Sequence, residues 1–169
     1  MTKLLTTTTL LHLVQHRPDL LTLDTDLRPL VPELAQLPII TGFTPDDSEA
    51  GGGGGEPILV PNTRPITLRH LLTHTSGLGV DIADPDLIRW SKFVGRTVDL
   101  HSCTVEGWTT PLKFAPGEGW YYGSGPDWAG QVLERVTGKR LGEYMEEFVL
   151  RPLGVGDTGF FVERLLGEE

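Results

Sequence analysis

The stretch that most constrains this chain is Pro116-Gly117-Glu118-Gly119-Trp120-Tyr121-Tyr122-Gly123-Ser124-Gly125, which runs straight into Pro126-Asp127-Trp128 and on to Gly138. A Pro-Gly turn leads into aromatic residues held among glycines, and an amphipathic helix follows. Pro126 suits a first helical turn, because the N–H that proline lacks would find no partner there. Asp127 falls near the positive end of the helix dipole. Trp128, Val132, Leu133 and Val136 recur at helical spacing, and Gly138 supplies the stop. Taken alone, the loop reads first as Trp and Tyr rings plugging a core, since single motifs are weak signals. The alternative is a site loop, in which glycines let backbone and phenol approach a ligand.

The rest of the chain narrows the classes. Its 169 residues suffice for one domain with a real core, and 38% hydrophobic with 22% charged residues is ordinary for a soluble protein. A net charge of −9 argues against a nucleic-acid partner and against an anionic membrane surface. No stretch has the length of a membrane span. Met1 to Val14 superficially suggests a secretory signal, but Thr6 to Thr9 and His12 interrupt the apolar run and no small-residue cleavage site follows. With the single Cys103 unable to form an internal disulfide, a cytoplasmic location is the natural expectation.

In order, Met1 to His16 predicts a helix with Leu4, Leu5, Leu11 and Val14 available for burial. The threonines are mediocre helix formers, so tertiary packing must hold it. Leu21 to Asp24 reads as extended, and Pro29, Pro32 and Pro38 keep the next segment irregular. Ile39–Phe43 and Ile58–Val60 read as a hairpin. The 44–56 stretch between them, acidic and then five glycines, is a solvent-exposed insertion. No lysine and no helix follow the glycines, so this is not a phosphate-binding loop. Thr67 caps a helix running to about His74. Asp84-Pro85-Asp86 opens another, with Leu87, Ile88, Trp90 and Phe93 as core candidates. Val94 to Thr110 is irregular around a buried Trp108. Leu141 to Leu150 is helical with Tyr144 and Phe148 inward, and Gly159 to Val162 reads as a last strand.

Three stretches together carry a resemblance: Met1-Thr2-Lys3 opening a helix, Leu71-Leu72-Thr73-His74-Thr75-Ser76-Gly77-Leu78, and Trp120-Tyr121-Tyr122-Gly123 with Asp127-Trp128-Ala129-Gly130. They resemble the β-lactamase-related serine hydrolases, a family of class C β-lactamases, penicillin-binding DD-peptidases, esterases and acyltransferases. The likeness is strongest to the fungal acyltransferase and esterase branch, and it runs over nearly the whole chain. It implies an α/β protein: a helix-rich fragment of the serine β-lactamase-like (DD-peptidase) fold, with a short hairpin and an incomplete sheet, as one partial domain over 1–169.

The family uses Ser-x-x-Lys at the start of a helix, where residues three apart share a face and the amine reaches the hydroxyl. A tyrosine from a second motif completes the proton path, and backbone N–H groups stabilise the oxyanion of an acyl-enzyme route. The resemblance places Lys3 as the motif lysine and Tyr122 as the motif tyrosine, both catalytic, with Trp120, Gly123 and Ser124 binding substrate. Gly123-Ser124 stands where the family has Ser-Asn. The motif serine would fall immediately before Met1, and the C-terminal oxyanion strand is not present. The expectation is therefore a truncated hydrolase or acyltransferase, inactive as written, of a protein that continues beyond both ends.

Other candidates are weaker. Ser76 is two residues from His74, a spacing that does not face one residue to the other on a helix, and the resemblance makes the segment a structural turn. His70 and His74, like His12 and His16, have a possible metal spacing, but neither pair has a Glu after the first His and no third ligand stands out. Cys103 has His101 nearby but no basic pocket, and reads as inert. The expected partner is a small acyl substrate of the full-length form, with no cofactor, nucleic acid or membrane, and with open sheet edges available for self-association. The competing reading is a non-catalytic pseudoenzyme that binds or regulates another protein.

Overall fold

Helix α1 (Thr2–His16) packs across the later helix α6 (Gly125–Thr137), and this crossing centres the protein. In the computed structural model, which describes residues 1–45 and 55–161, α1 buries Thr6, Thr9, Leu10 and Leu13. Thr9 and Leu10 lie three and four residues after Thr6, and four and three before Leu13, so together they form one helical stripe. This corrects the sequence reading of α1 in part. Leu4 is 65% exposed and Leu11 44% exposed, Leu5 and Val14 pack half-buried on the core as expected, and Thr6 and Thr9 lie inside. Threonine is tolerated there because its hydroxyl can be satisfied within the helix: Thr9 Oγ1 donates to Leu5 O at 2.8 Å.

Helix α6 supplies the facing surface. Trp128, Ala129, Val132 and Leu133 are fully buried with Leu10, Leu13, Leu68, Leu71 and Leu112 in one cluster. Trp128 is also fixed by its polar edge, donating from Nε1 to Trp108 O at 3.4 Å, with the two indoles edge to face. Trp108 itself is half-buried against this cluster. Gly138 closes α6 in the left-handed region at φ 71°, where a side chain would be strained.

Between α1 and α6 the chain adds short elements. The prolines expected to keep 29–38 irregular do not do so throughout: Pro32 opens a helical turn, α2 (Pro32–Ala35), because its fixed φ suits a first turn. Leu21–Asp24 is likewise not extended; Thr25 N–H donates to Thr22 O at 3.4 Å and closes a turn. Strands β1 (Ile39–Phe43) and β2 (Pro57–Val60) pair antiparallel, with an irregularity between Ile40 and Gly42. The expected hairpin is present, while 46–54 of the acidic and glycine-rich insertion lie outside the described residues.

Helix α3 (Leu68–Leu72) begins at Thr67, whose hydroxyl accepts from His70 N–H, and ends before the expected His74. His74 has φ 59°, which no helix continues through. Helix α4 (Pro85–Phe93) is capped by Asp84, whose carboxylate accepts from the N–H groups of Asp86 and Leu87. Of its expected core residues Leu87 is buried, Ile88 and Trp90 are half-buried and Phe93 is exposed. The 94–110 region is held by Arg96, which donates to Asp81 at 2.7 Å and to the carbonyls of Glu106 and Gly107. It carries a short 3-10 turn (Leu100–Ser102) and α5 (Val105–Trp108).

Helix α7 (Leu141–Met145) continues through a π-turn (Glu146–Leu150) to a 3-10 turn ending at Gly154. Tyr144 is buried and Phe148 packs against the main cluster. Met145, Val149 and Leu150 form a second small cluster under Leu5. The last expected strand is absent from Gly159–Phe161, and Val162 lies outside the described residues.

One ion pair ties α2 to α6: Arg135 donates to both Glu33 oxygens at 2.7 and 2.8 Å. That bidentate bond holds the Glu33 carboxyl at about 2, below its ordinary 4.5. A depressed folded-state value contributes stability that is complete above about 4.5 and is lost as pH falls through about 2. Urea midpoints taken from pH 5 down to pH 2 should therefore fall more steeply for the native chain than for Glu33→Gln. Equal slopes would show that the pair makes no acid-sensitive contribution.

Candidate functional site

The first turn of α1 projects Lys3 toward the loop that precedes α6. Lys3 Nζ lies 4.9 Å from the centroid of the Tyr122 ring, over its face. An ammonium over a phenol face is attracted by the ring quadrupole. The His74 ring lies 4.8 Å from the Tyr122 ring at a tilt of 31°, and 6.1 Å from Trp120 edge to face. Three distant parts of the sequence thus meet at one place.

The loop is held by its backbone. Lys113 N–H donates to Gly77 O, Gly117 N–H to Thr75 O and Tyr121 N–H to His74 O, all at 2.8 to 2.9 Å. These bonds lace 113–121 against 74–77, and Gly123 N–H adds a bond to His74 Nδ1 at 3.3 Å. The glycines permit close approach. A Cβ at Gly123 would collide with the Leu78 carbonyl, and one at Gly125 with that of Leu71. The loop therefore lies close against the backbone of α3 and of the segment after it, and Tyr122 is left half exposed.

Of the sequence-predicted residues, the structure brings Lys3 and Tyr122 together and sets Trp120 beside them through His74. Trp120 is 66% and Tyr122 50% exposed, so neither plugs the core. Gly123 and Ser124 are buried. The Gly123 N–H is engaged by His74, and Ser124 Oγ has no hydrogen-bond partner. Ser76 is buried with its hydroxyl accepting from Leu78 N–H at 3.4 Å, the geometry of a turn rather than of a nucleophile. His70 reaches back to Thr67 N–H, and His74 lies outside α3, so the two histidines do not share a helical face. His12 and His16 stack on each other at 4.0 Å. Among the described residues no group of three or more His, Cys, Asp and Glu side chains is placed to hold a metal. Cys103 is exposed in the left-handed region at φ 52°.

Two residues join the site that sequence reasoning did not assign to it. Burial pushes the His74 imidazole below its ordinary value, and the Lys3 charge adds to the shift. Asp127, in the first turn of α6, has its carboxyl pushed up by loss of hydration, with Lys3 opposing the shift. Lys3 thus acts on an imidazole, a phenol and a carboxyl. Only Asp127 carried a usable signal, as an acid at a helix start. An open cleft of about 1220 Å³ adjoins Lys3 and Asp127 and continues past Gln131, Glu134 and Arg140 to Phe160. A cation, a phenol and an adjoining cleft can together bind a small polar-headed molecule and move a proton beside it.

The sequence profile described as Beta-lactamase matches residues 1–165, and the chain belongs to that family. Its relatives include lovastatin esterase of Penicillium rubens, 43% identical over 161 residues, covering 95% of this chain and 38% of that protein. Monacolin J acid methylbutanoyltransferase of Aspergillus terreus is 36% identical over 164 residues, covering 96% of this chain and 37% of that protein. The solved structure of unliganded simvastatin synthase from Aspergillus terreus is 34% identical with a TM-score of 0.79, over 99% of this chain and 41% of that one. The fold is that of this family, helix-rich with a small antiparallel sheet, as the resemblance implied. The chain spans about two-fifths of the length of these relatives.

The close approach of Gly123 makes a test of the loop. Gly123→Ala should destabilise the fold by about 1–3 kcal/mol, the usual range for overpacking. Gly156→Ala, where a Cβ meets nothing within 4 Å, should change it by less than about 0.5 kcal/mol. Urea titration of both variants checks this, and equal stabilities would mean that the loop does not press on Leu78.

Proposed function

We propose that this chain carries the lysine–tyrosine half of a serine hydrolase or acyltransferase acting on small esters, thioesters or amides. The observation that carries the reading is the placement of Lys3 Nζ over the Tyr122 ring, with Lys3 itself lining an open cleft. The likeness to an esterase and to a methylbutanoyltransferase supports acyl chemistry and favours small acyl esters as substrates.

In this reading a serine three positions before Lys3 lies on the same helical face as the amine. Once the Lys3 ammonium has given up a proton, its amine takes the hydroxyl proton as the serine oxygen attacks the acyl carbonyl, forming a tetrahedral oxyanion. Tyr122 relays that proton to the leaving oxygen, sulfur or nitrogen as its bond to the acyl carbon breaks. Water or an acceptor alcohol then attacks the acyl-serine, loses its proton to the same pair and releases the acid or the new ester. In this reading Trp120, exposed beside Tyr122 through His74, and the buried Gly123 and Ser124 that follow Tyr122 contact the acyl substrate. A cytoplasmic setting accords with the unpaired Cys103.

A second reading, a non-catalytic partner of another protein, rests on β2, whose Ile58, Leu59 and Val60 are all exposed. The same exposure would serve self-association along a strand edge.

The test is acylation by a p-nitrophenyl ester, followed by intact mass. A chain extended by one serine ahead of Met1 should gain one acyl group. The original chain and an alanine-extended control should gain none. Lys3→Met or Tyr122→Phe in the extended chain should slow acylation by about 10²–10⁴, the span of general acid–base effects. Turnover by the original chain that disappears on mutating Lys3 or Tyr122 would overturn the serine route, and no adduct on the extended chain would favour the non-catalytic reading.

A further inference from the structure

His74 sits where the site's three other components converge, and no part of the acyl-transfer scheme above uses it. Its backbone has φ 59°, a left-handed conformation rare outside glycine in which histidine is among the tolerated residues. That conformation ends α3 and turns the imidazole under the 116–125 loop. There it makes three contacts at once: the Tyr122 ring at 4.8 Å, the Trp120 ring at 6.1 Å, and the Gly123 N–H, which donates to Nδ1 at 3.3 Å. The backbone carbonyl of the same residue accepts from Tyr121 N–H at 2.9 Å. One residue therefore bonds the residues on both sides of Tyr122 and packs its ring, tilted, against Tyr122 itself.

We propose that His74, as a neutral imidazole with its proton on Nε2, is the positioning residue that holds the Tyr122 ring against Lys3. The tautomer follows from the hydrogen bond: Nδ1 needs its lone pair free to accept from Gly123, so the ring proton resides on the other nitrogen. Neutrality fits the surroundings, because the charged side chain acting on the imidazole is the Lys3 ammonium from α1, which disfavours a second cation. The titratable group facing it from the loop is the Tyr122 phenol, and Asp127 of α6 bears on Lys3 rather than on the imidazole. Protonating His74 would remove the acceptor for Gly123 and set two like charges close to the Tyr122 ring. The clamp would then open.

This role rests on reading Lys3 and Tyr122 as the working pair, but its test needs no ester. Nitrogen-15 and aromatic carbon spectra of the 169-residue chain should show an unprotonated Nδ1 and a protonated Nε2 at neutral pH. On acidification, the His74, Gly123 amide and Tyr122 ring resonances should move together with one midpoint below that of an ordinary histidine. His74→Asn keeps a side-chain acceptor and tolerates the backbone, so it should retain the Gly123 amide position but lose the Tyr122 ring shift. His74→Phe keeps a ring without an acceptor, and should do the reverse. A proton on Nδ1, or a Tyr122 ring that ignores the His74 titration, overturns the proposal. Either result leaves acyl uptake by the serine-extended chain to stand or fall separately.

Discussion

The packing of α1 on α6 is the constraint on which the rest of this structure depends. A short N-terminal helix rich in threonine has little reason to form alone, and its stability must come from the surface it covers. That surface is the face of α6 bearing Trp128, Ala129, Val132 and Leu133. Because Thr6, Thr9, Leu10 and Leu13 all face inward, the helix is fixed in rotation as well as in position. Rotation decides where Lys3 points. Three residues before Thr6 on the same face, Lys3 is carried to the start of α6, where Asp127 and the aromatic loop lie. The core and the site are consequences of one helix crossing.

The loop is the second element of that geometry, and it is held by close approach rather than by side-chain packing. Gly123 and Gly125 press on carbonyls that larger residues would displace, while backbone bonds tie 113–121 to 74–77. Tyr122 gains little burial from this arrangement, and half of it remains in solvent. A tyrosine kept exposed on a rigid backbone is poor use of an aromatic residue for stability and good use of one for chemistry. Loss of hydration works in the same direction at the half-buried His74 and at Asp127, whose side chain still reaches the surface, since each is shifted toward its neutral form beside Lys3.

Much of this was legible in the sequence where the signal is local. Asp84, Thr67 and Gly138 announced their helix ends because capping involves neighbours only a few residues away. The β1–β2 hairpin followed from two short apolar runs. The failures were of two physical kinds. Hydrophobicity chose Leu4 and Leu11 for the buried face of α1, when an intrahelical bond lets Thr9 take a place there beside Leu10 and Leu13. The end of α3 was missed because a left-handed histidine leaves no mark in composition, and the expected strand at 159–161 had no partner that local pattern could reveal. For the site, Lys3 and Tyr122 were reached through family resemblance and not from spacing. His74 was passed over because its contacts run to residues far along the chain.

The most direct measurement of this account is the distance between Lys3 and Tyr122 in solution. Proton cross-relaxation in the uniformly labelled chain reads it without any substitution. The account predicts cross-peaks between the Lys3 ε-methylene and the Tyr122 ring, with the lysine protons shifted upfield by the ring face. A folded chain showing the α1–α6 contacts of Leu10 and Trp128, but no Lys3–Tyr122 cross-peak, would contradict it.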